Sequence, residues 1–321
     1  MNELVIVSAE PRAGKSMLAA CFAALSQNAV LADCDLRGRG LPQIVECTRE
    51  SQAEYVAGRG AHIAAEQCVG CGRCVQTCDY DAISLSGPAN DFVGKTYRVD
   101  SQRCQGCRVC GQACPRDGFV FEPATKGFWY VARTPHAPLI HALCDIPAED
   151  AGKWVAMLRR QARLEADQRG RDLVIVDGPS GLHCPTIEAL VDATLVLVVA
   201  EPKVTNLLPF GRLLEATQHF SRPVVACINR WDVNPDIARR LQTVAAAKGV
   251  SILGKLPHDP VVPEMERRRR SVVEQTNERL GADVRGLWSA VAAELSCSLP
   301  PLSVERAIVP MESEQPRGGM A

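Results

Sequence analysis

The chain has 321 residues, 46% hydrophobic and 5% aromatic, with a net charge of −1. The length fits about two domains, and the apolar share supports a sizeable core. The balanced charge argues against a general nucleic-acid binder, which needs a basic face. The scarcity of aromatics argues against single-strand stacking platforms.

In chain order, Leu4-Val5-Ile6-Val7 reads as a short apolar strand, of the kind buried on both faces of a parallel sheet. The start of the chain shows neither a basic n-region nor a cleavage site, so no secretory signal is expected. No apolar run nears the roughly 18 residues of a membrane span. A reducing cytoplasm is the expected setting, in an anaerobe or a cell that shields its metal centres from oxygen. After a loop, Gly14-Lys15-Ser16 opens a helix to about residue 27, and Val30-Leu31-Ala32-Asp33 forms a strand ending in acid. Between about residues 62 and 121 the composition turns to cysteine and glycine. Both flanks return to an α/β pattern, so this module is inserted, not appended. Residues 129–132 read as a strand, and residues 149–168 carry Trp154, Leu158, Ala162 and Leu164 at helical spacing. Strands at 173–176, 195–200, 223–228 and 251–253 then alternate with helices at 207–219, 235–248 and 284–295. The pattern predicts an α/β fold with a doubly wound, mostly parallel sheet. The expected domains are 1–61 and 123–297 for the two parts of the sheet domain, 62–122 for the insertion and 298–321 for a disordered tail. Arg267-Arg268-Arg269-Arg270 reads as a solvated helix face.

Eight of the fifteen cysteines form two copies of C-x2-C-x2-C-x3-C: Cys68, Cys71, Cys74, Cys78 and Cys104, Cys107, Cys110, Cys114, the second followed by Pro115. That run holds paired [4Fe–4S] cubanes in bacterial-type ferredoxins, with the fourth cysteine ligating the other cluster. Cys68, Cys71, Cys74 and Cys114 are therefore assigned to one cluster, and Cys104, Cys107, Cys110 and Cys78 to the other. Structural zinc sites and disulfides are the alternatives. The remaining cysteines, Cys21, Cys34, Cys47, Cys144, Cys184, Cys227 and Cys297, are scattered and read mostly as small buried hydrophobes.

The loop Ser8-Ala9-Glu10-Pro11-Arg12-Ala13-Gly14-Lys15-Ser16 matches the second half of G-x4-G-K-[ST], with Ala9 in place of the first glycine. In such a loop, backbone amides and the lysine hold phosphates and the hydroxyl ligates magnesium. Asp33, Asp35, Asp177 and Asn229 all stand at strand ends. Asp177 is placed to hold the magnesium shell, Asp33 and Asp35 lie near an attacking water, and Asn229 is placed to read a base.

Over roughly residues 3 to 296 the chain resembles the MinD/ParA-type P-loop ATPases, in the branch with an inserted two-cluster ferredoxin domain. Besides the cysteines, the resemblance rests on Asp33-Cys34-Asp35, His141-Ala142 with Gly152-Lys153, Asp177-Gly178-Pro179-Ser180-Gly181 through Cys184-Pro185, Glu201-Pro202 and Ile228-Asn229-Arg230-Trp231-Asp232. It implies ATP and magnesium binding and a dimer that sandwiches nucleotide. By position, Lys15 would bind phosphates, Ser16 magnesium, Asp33 the water, Asp177 the magnesium shell and Asn229 the adenine. Cys184 falls beside the second switch of such proteins.

The chain also departs from this pattern. The family shows Gly-Lys-Gly-Gly-Thr-Gly-Lys-Thr, whose first lysine reaches the partner subunit's phosphates. Here that position is Glu10, followed by Pro11 and Arg12, while Lys203 replaces a threonine and Pro209 an aspartate. Proline removes an amide donor. A carboxylate about 4 Å from a phosphate charge is opposed by about 4 kcal/mol at an effective dielectric near 20. Weakened or lost hydrolysis is therefore expected. The leading reading is coupling of nucleotide state to electron transfer with a redox partner protein, as a homodimer or as a heterodimer with a paralogous ATPase that keeps the lysine. The alternatives are iron–sulfur or metallocofactor assembly, and a non-hydrolysing adaptor.

Overall fold

The computed structural model describes residues 1–36, 40–143, 150–274 and 279–297. Cys144, Glu149 and the predicted tail 298–321 lie outside the described residues. Eleven strands and ten α-helices are found among them.

In the first half come β1 (Asn2–Ser8), α1 (Lys15–Ser26), β2 (Ala29–Asp33), α2 (Leu41–Ile44) and β3 (Thr48–Ile63). The insertion contains α3 (Arg73–Gln76), β4 (Ile83–Ser84), β5 (Arg98–Val99) and α4 (Val109–Ala113). There follow β6 (Phe119–Arg133), β7 (Pro138–Ala142), α5 (Ala151–Gln168), β8 (Leu173–Ser180), α6 (Cys184–Leu190), β9 (Leu195–Ala200) and α7 (Leu207–His219). The chain continues with β10 (Val224–Asn229), α8 (Pro235–Ala247), β11 (Ser251–Leu256), α9 (Val261–Arg267) and α10 (Arg279–Cys297).

Nine strands form one sheet in the order β11-β10-β9-β1-β8-β2-β7-β6-β3. From β11 to β7 every pairing is parallel. Successive residues of a strand point to opposite faces, so Leu4 and Ile6 of β1 enter one apolar layer and Val5 and Val7 the other. Both faces are covered, which is why the central strands read as unbroken apolar runs. On α5, Trp154, Leu158 and Ala162 are buried as their spacing predicts, whereas Leu164 is 42% exposed. Two residues beyond Ala162 is a rotation of about 200° around the helix, which carries Leu164 to the outer face. Arg267 to Arg270 straddle the end of α9 and are exposed; Arg268 pairs with Glu264 and Arg270 with Glu274.

The antiparallel edge was not legible as strand over most of its length. β3 and β6 pair from Thr48↔Arg133 to Ile63↔Phe119, but β6 pairs with β7 only from Trp129 to Arg133. The rest of this two-stranded ribbon leaves the sheet beyond Ala142, the carboxyl end of β7, and runs on for about 25 Å to Phe121. Its base is held by the Tyr55 ring, 4.5 Å from that of Trp154, and by Arg49 lying over Tyr130, which stacks on His141. Residues 64–118 lie beyond the last rung of the ribbon, around the short β4–β5 pair.

Candidate functional site

At the tip of the ribbon, the cysteines line two cavities. Cys68, Cys71, Cys74 and Cys114 share one with Ile63, Tyr97 and Phe119. Cys78, Cys104, Cys107 and Cys110 share another with Ala61, Ile83, Val99 and Phe121. Each cavity thus takes three thiols from one sequence copy and the fourth from the other. The short helices α3 and α4 each follow a left-handed residue, Gly72 (φ 73°) and Arg108 (φ 68°). These turns fold each tripeptide-spaced run into an arc. Burial pushes the Cys110 thiol up to about 11, and the neighbouring Cys104, Cys107 and Cys78 add to the effect. Cys74 is raised by burial, with Cys71 and Cys68 adding.

All described cysteines are free thiols. Among the described residues no three His, Cys, Asp or Glu side chains converge on one ion-sized point. A tetrahedral zinc site needs four sulfurs about 2.3 Å from a common centre, whereas thiols ringing an apolar cavity suit a polynuclear cube. The donor set and the lining both fit [4Fe–4S].

The second group of residues lies at the carboxyl ends of β1, β2, β8, β9 and β10. Gly14, at φ 97°, turns the loop into α1, and a Cβ there would lie 2.4 Å from Asn229 Nδ2. Gly14 is therefore required both by its backbone angle and by this close approach. Asn229 Nδ2 donates to the Ala13 carbonyl at 2.8 Å, and its Oδ1 accepts from the Arg230 amide at 3.0 Å. The predicted base-reading side chain thus also clasps the loop.

Lys15 is 3% exposed and its Nζ donates to Asp35 Oδ2 at 3.1 Å. Asp33 and Asp177 stand directly opposite each other in the β2–β8 register. Asp33 Oδ2 accepts the Leu41 amide at 2.8 Å, while Asp33 Oδ1 and both oxygens of Asp177 are buried without a hydrogen-bond partner. Burial holds Asp33 well above the usual carboxylate range; the charges of Asp177 and Asp35 add, against the Leu41 hydrogen bond. Burial raises Asp177 to about 7, opposed by Lys15 and by Ser16, whose hydroxyl approaches without meeting hydrogen-bond geometry. Asp33, Asp35 and Asp177 outnumber the single ammonium and leave buried oxygens orphaned; they do not converge on one ion position, so the arrangement suits a cation held chiefly by phosphate and water, with a carboxylate reaching it through water. Lys15, Ser16, Asp33 and Asp177 are brought together here, with Asn229 across the loop.

Glu10 is half-buried, with Pro11 and Arg12 exposed beside it. Ser8 Oγ donates to the Glu10 carbonyl at 2.6 Å, which shapes the turn, and Arg12 holds φ 63°. Glu201, Lys203 and Arg230 all stand in segments that carry the resemblance, but the ion pairs among them have no sequence reading. Glu201 accepts from Arg230 at 3.0 Å and from Lys203 at 2.7 Å. Burial would raise Glu201, yet these two cations hold it below its usual value. The position of Arg230 directly after Asn229 was the available signal. Of the scattered cysteines, Cys21, Cys34 and Cys227 are buried, Cys47 is half-buried, and Cys184 and Cys297 are exposed. Cys184 is exposed because it begins α6 on the solvent side.

Residues 67–117 match the 4Fe-4S dicluster domain family. An uncharacterized protein of Methanocaldococcus jannaschii is 27% identical over 235 residues, which is 72% of this chain and 79% of that protein. Among solved structures, apo McdA of Cyanothece aligns at TM-score 0.54 and 13% identity, covering 91% of this chain and 99% of that one. A ParA family ATPase from Chlorobium tepidum aligns at 0.52 and 17% identity, covering 90% and 98%. The septum site-determining protein MinD of Pyrococcus horikoshii, complexed with Mg-ADP, aligns at 0.51 and 12%, covering 93% and 98%. The chain has the MinD/ParA P-loop ATPase fold, with a 4Fe-4S ferredoxin domain inserted in it. No described helix is long and apolar enough to cross a membrane.

Proposed function

We propose that this protein binds two [4Fe–4S] clusters and MgATP, couples nucleotide state to electron transfer with a redox partner protein, and hydrolyses ATP weakly or not at all. The observation that carries the reading is the three-plus-one partition of eight cysteines between two cavities, at the tip of a ribbon that springs from the same end of the sheet as Lys15. Bound clusters supply one-electron couples, and bound magnesium offsets phosphate charge. Cys68, Cys71, Cys74 and Cys114 hold one cluster; Cys104, Cys107, Cys110 and Cys78 hold the other. Lys15, released from Asp35, neutralises the phosphates. Ser16 and Asp177 hold magnesium, Asp33 orients water, and Asn229 faces the adenine.

The coupling route runs along the backbone. Asp33 accepts the amide of Leu41, the first residue of α2, and α2 leads within a few residues to Thr48, the first residue of the ribbon. A change in what Asp33 binds is transmitted to the stalk that bears the cysteines.

Anaerobic purification with iron and sulfide counts, and spectra with and without MgATP, tests the proposal. About eight irons and eight sulfides per chain are expected, with a MgATP-dependent change in the reduced spectrum. Colourless, zinc-bearing material refutes it. Glu10 and Pro11 favour a second reading, a non-hydrolysing adaptor that pairs with a paralogous ATPase retaining the missing lysine. A homodimer with ordinary turnover excludes that reading.

A further inference from the structure

The two cysteine cavities do not occupy equivalent places on the ribbon. The rung Ala61↔Phe121 contributes to the Cys78/Cys104/Cys107/Cys110 cavity, and the rung Ile63↔Phe119 to the Cys68/Cys71/Cys74/Cys114 cavity. Two residues of strand separate them, about 7 Å. The first cavity is therefore inner, toward the sheet, and the second outer. The inner set is also more enclosed, with Cys104 and Cys110 both buried, whereas in the outer set only Cys74 is.

Each cavity is lined by one arginine, Arg108 in the inner and Arg116 in the outer. These cancel in a comparison of the two. A further cation meets the backbone of the inner set, outside the lining of its cavity. Lys126, on the ribbon, sends its ammonium to the Cys104 carbonyl at 2.7 Å and toward the Ser101 carbonyl at 3.5 Å. No hydrogen bond or ion pair joins a lysine to the backbone of an outer-set cysteine among the described residues. The corresponding contact there is neutral, from Asn90 Nδ2 to the Cys68 carbonyl at 2.7 Å.

We infer that Lys126 is a positioning residue that makes the inner four-cysteine site the better electron acceptor of the two. A [4Fe–4S] centre gains one negative charge on reduction, so a fixed positive charge beside it favours the reduced form. One electron taken from a low-potential one-electron donor then rests at the inner site, nearer the nucleotide end, while the outer site remains oxidised and faces the donor. No proton or bond changes hands. This inference rests on the two-cluster reading above.

The holoprotein is reduced with one electron per chain, using a viologen as donor. Paramagnetic NMR of the cysteine β-methylenes then reports which set of four carries the spin. In the unaltered protein the spin sits mainly on Cys78, Cys104, Cys107 and Cys110. Lys126→Gln keeps a donor for the Cys104 carbonyl and removes the charge. It is expected to lower the inner-to-outer ratio about tenfold, 59 mV for a one-electron couple, with iron content unchanged. Lys126→Arg restores the ratio. An unchanged ratio in Lys126→Gln, or an equal shift of both sites, overturns the inference. A chain with fewer than two clusters instead overturns the reading on which it rests.

Discussion

On the parallel sheet, β1, β8 and β9 bury aliphatic side chains on both faces, from Leu4 and Ile6 on one side to Val5, Val174 and Val196 on the other. At the tip of the ribbon the buried cluster consists of Ala61, Cys74, Ala82, Ile83, Cys104 and Cys110. Half of that small core is thiol. The sheet stands on apolar area removed from water, whereas the insertion lacks the material for a core and depends on what its cysteines bind. The same contrast runs through the two sites. On the proposed reading a cluster requires its full set of ligands, and all eight cysteines are present. The proposed phosphate loop is built mostly from backbone and lacks the amide donor that Pro11 removes, while its lysine and acids stay in place.

Removing the iron is the strongest way to break this comparison. Chelation under air should unfold residues 64–118 while leaving the sheet intact. Hydrogen exchange should show the insertion's amides losing essentially all protection, with those of β1, β8 and β9 keeping theirs. Protection that persists in the iron-free insertion would mean that its packing alone suffices.

The same physics decided what was legible in sequence. β1, β9 and β10 announce themselves as apolar runs because both faces are covered. The ribbon does not: β3 carries Arg49, Glu50, Gln52 and Glu54, and β6 contains Pro123. With both faces near solvent, a two-stranded stalk needs no apolar alternation, so it has no periodic signature. Among the site residues, cysteine spacing and the Gly14-Lys15-Ser16 turn are local and could be read. The Lys126–Cys104 contact spans 22 residues and joins a strand to a loop, and the Arg230–Glu201 pair spans 29. Contacts made by topology leave no spacing rule behind.

At the nucleotide end, Lys15→Ala should weaken ATP binding about hundredfold by calorimetry, the loss of a charge-assisted hydrogen bond worth about 2–3 kcal/mol. Cluster content should not change if the two regions are independently built. The acids give a smaller effect, tied to pH. Asp177 is raised to about 7 in the folded chain, so the native state holds a proton that the unfolded state releases above its ordinary carboxylate pKa. Unfolding free energy should therefore fall as pH rises from about 4 to about 7, by about 1–3 kcal/mol. Thermal melts of the nucleotide-free protein should be higher near pH 5 than near pH 8. Added magnesium should recover part of the loss at the higher pH, and Asp177→Asn should flatten the profile. A melt that rises steadily across this range would show that Asp177 is ionised and already compensated.

Glu10→Lys addresses the dismantled loop directly. The family resemblance sets a lysine at this position, where the charge acts on phosphates across a dimer. Glu10 is only half-buried, so solvent screening reduces the interaction below the roughly 4 kcal/mol expected at close range and an effective dielectric near 20. The Ser8 contact to the Glu10 carbonyl involves backbone and survives the substitution, so the turn should keep its shape. ATP turnover should rise about tenfold, because the substitution both removes a repulsion and supplies a cation. Glu10→Gln should give only part of that gain. If Glu10→Lys binds ATP normally yet turns over no faster, the limiting loss lies in the missing amide of Pro11, and Pro11→Gly in the same background is the variant that should recover activity.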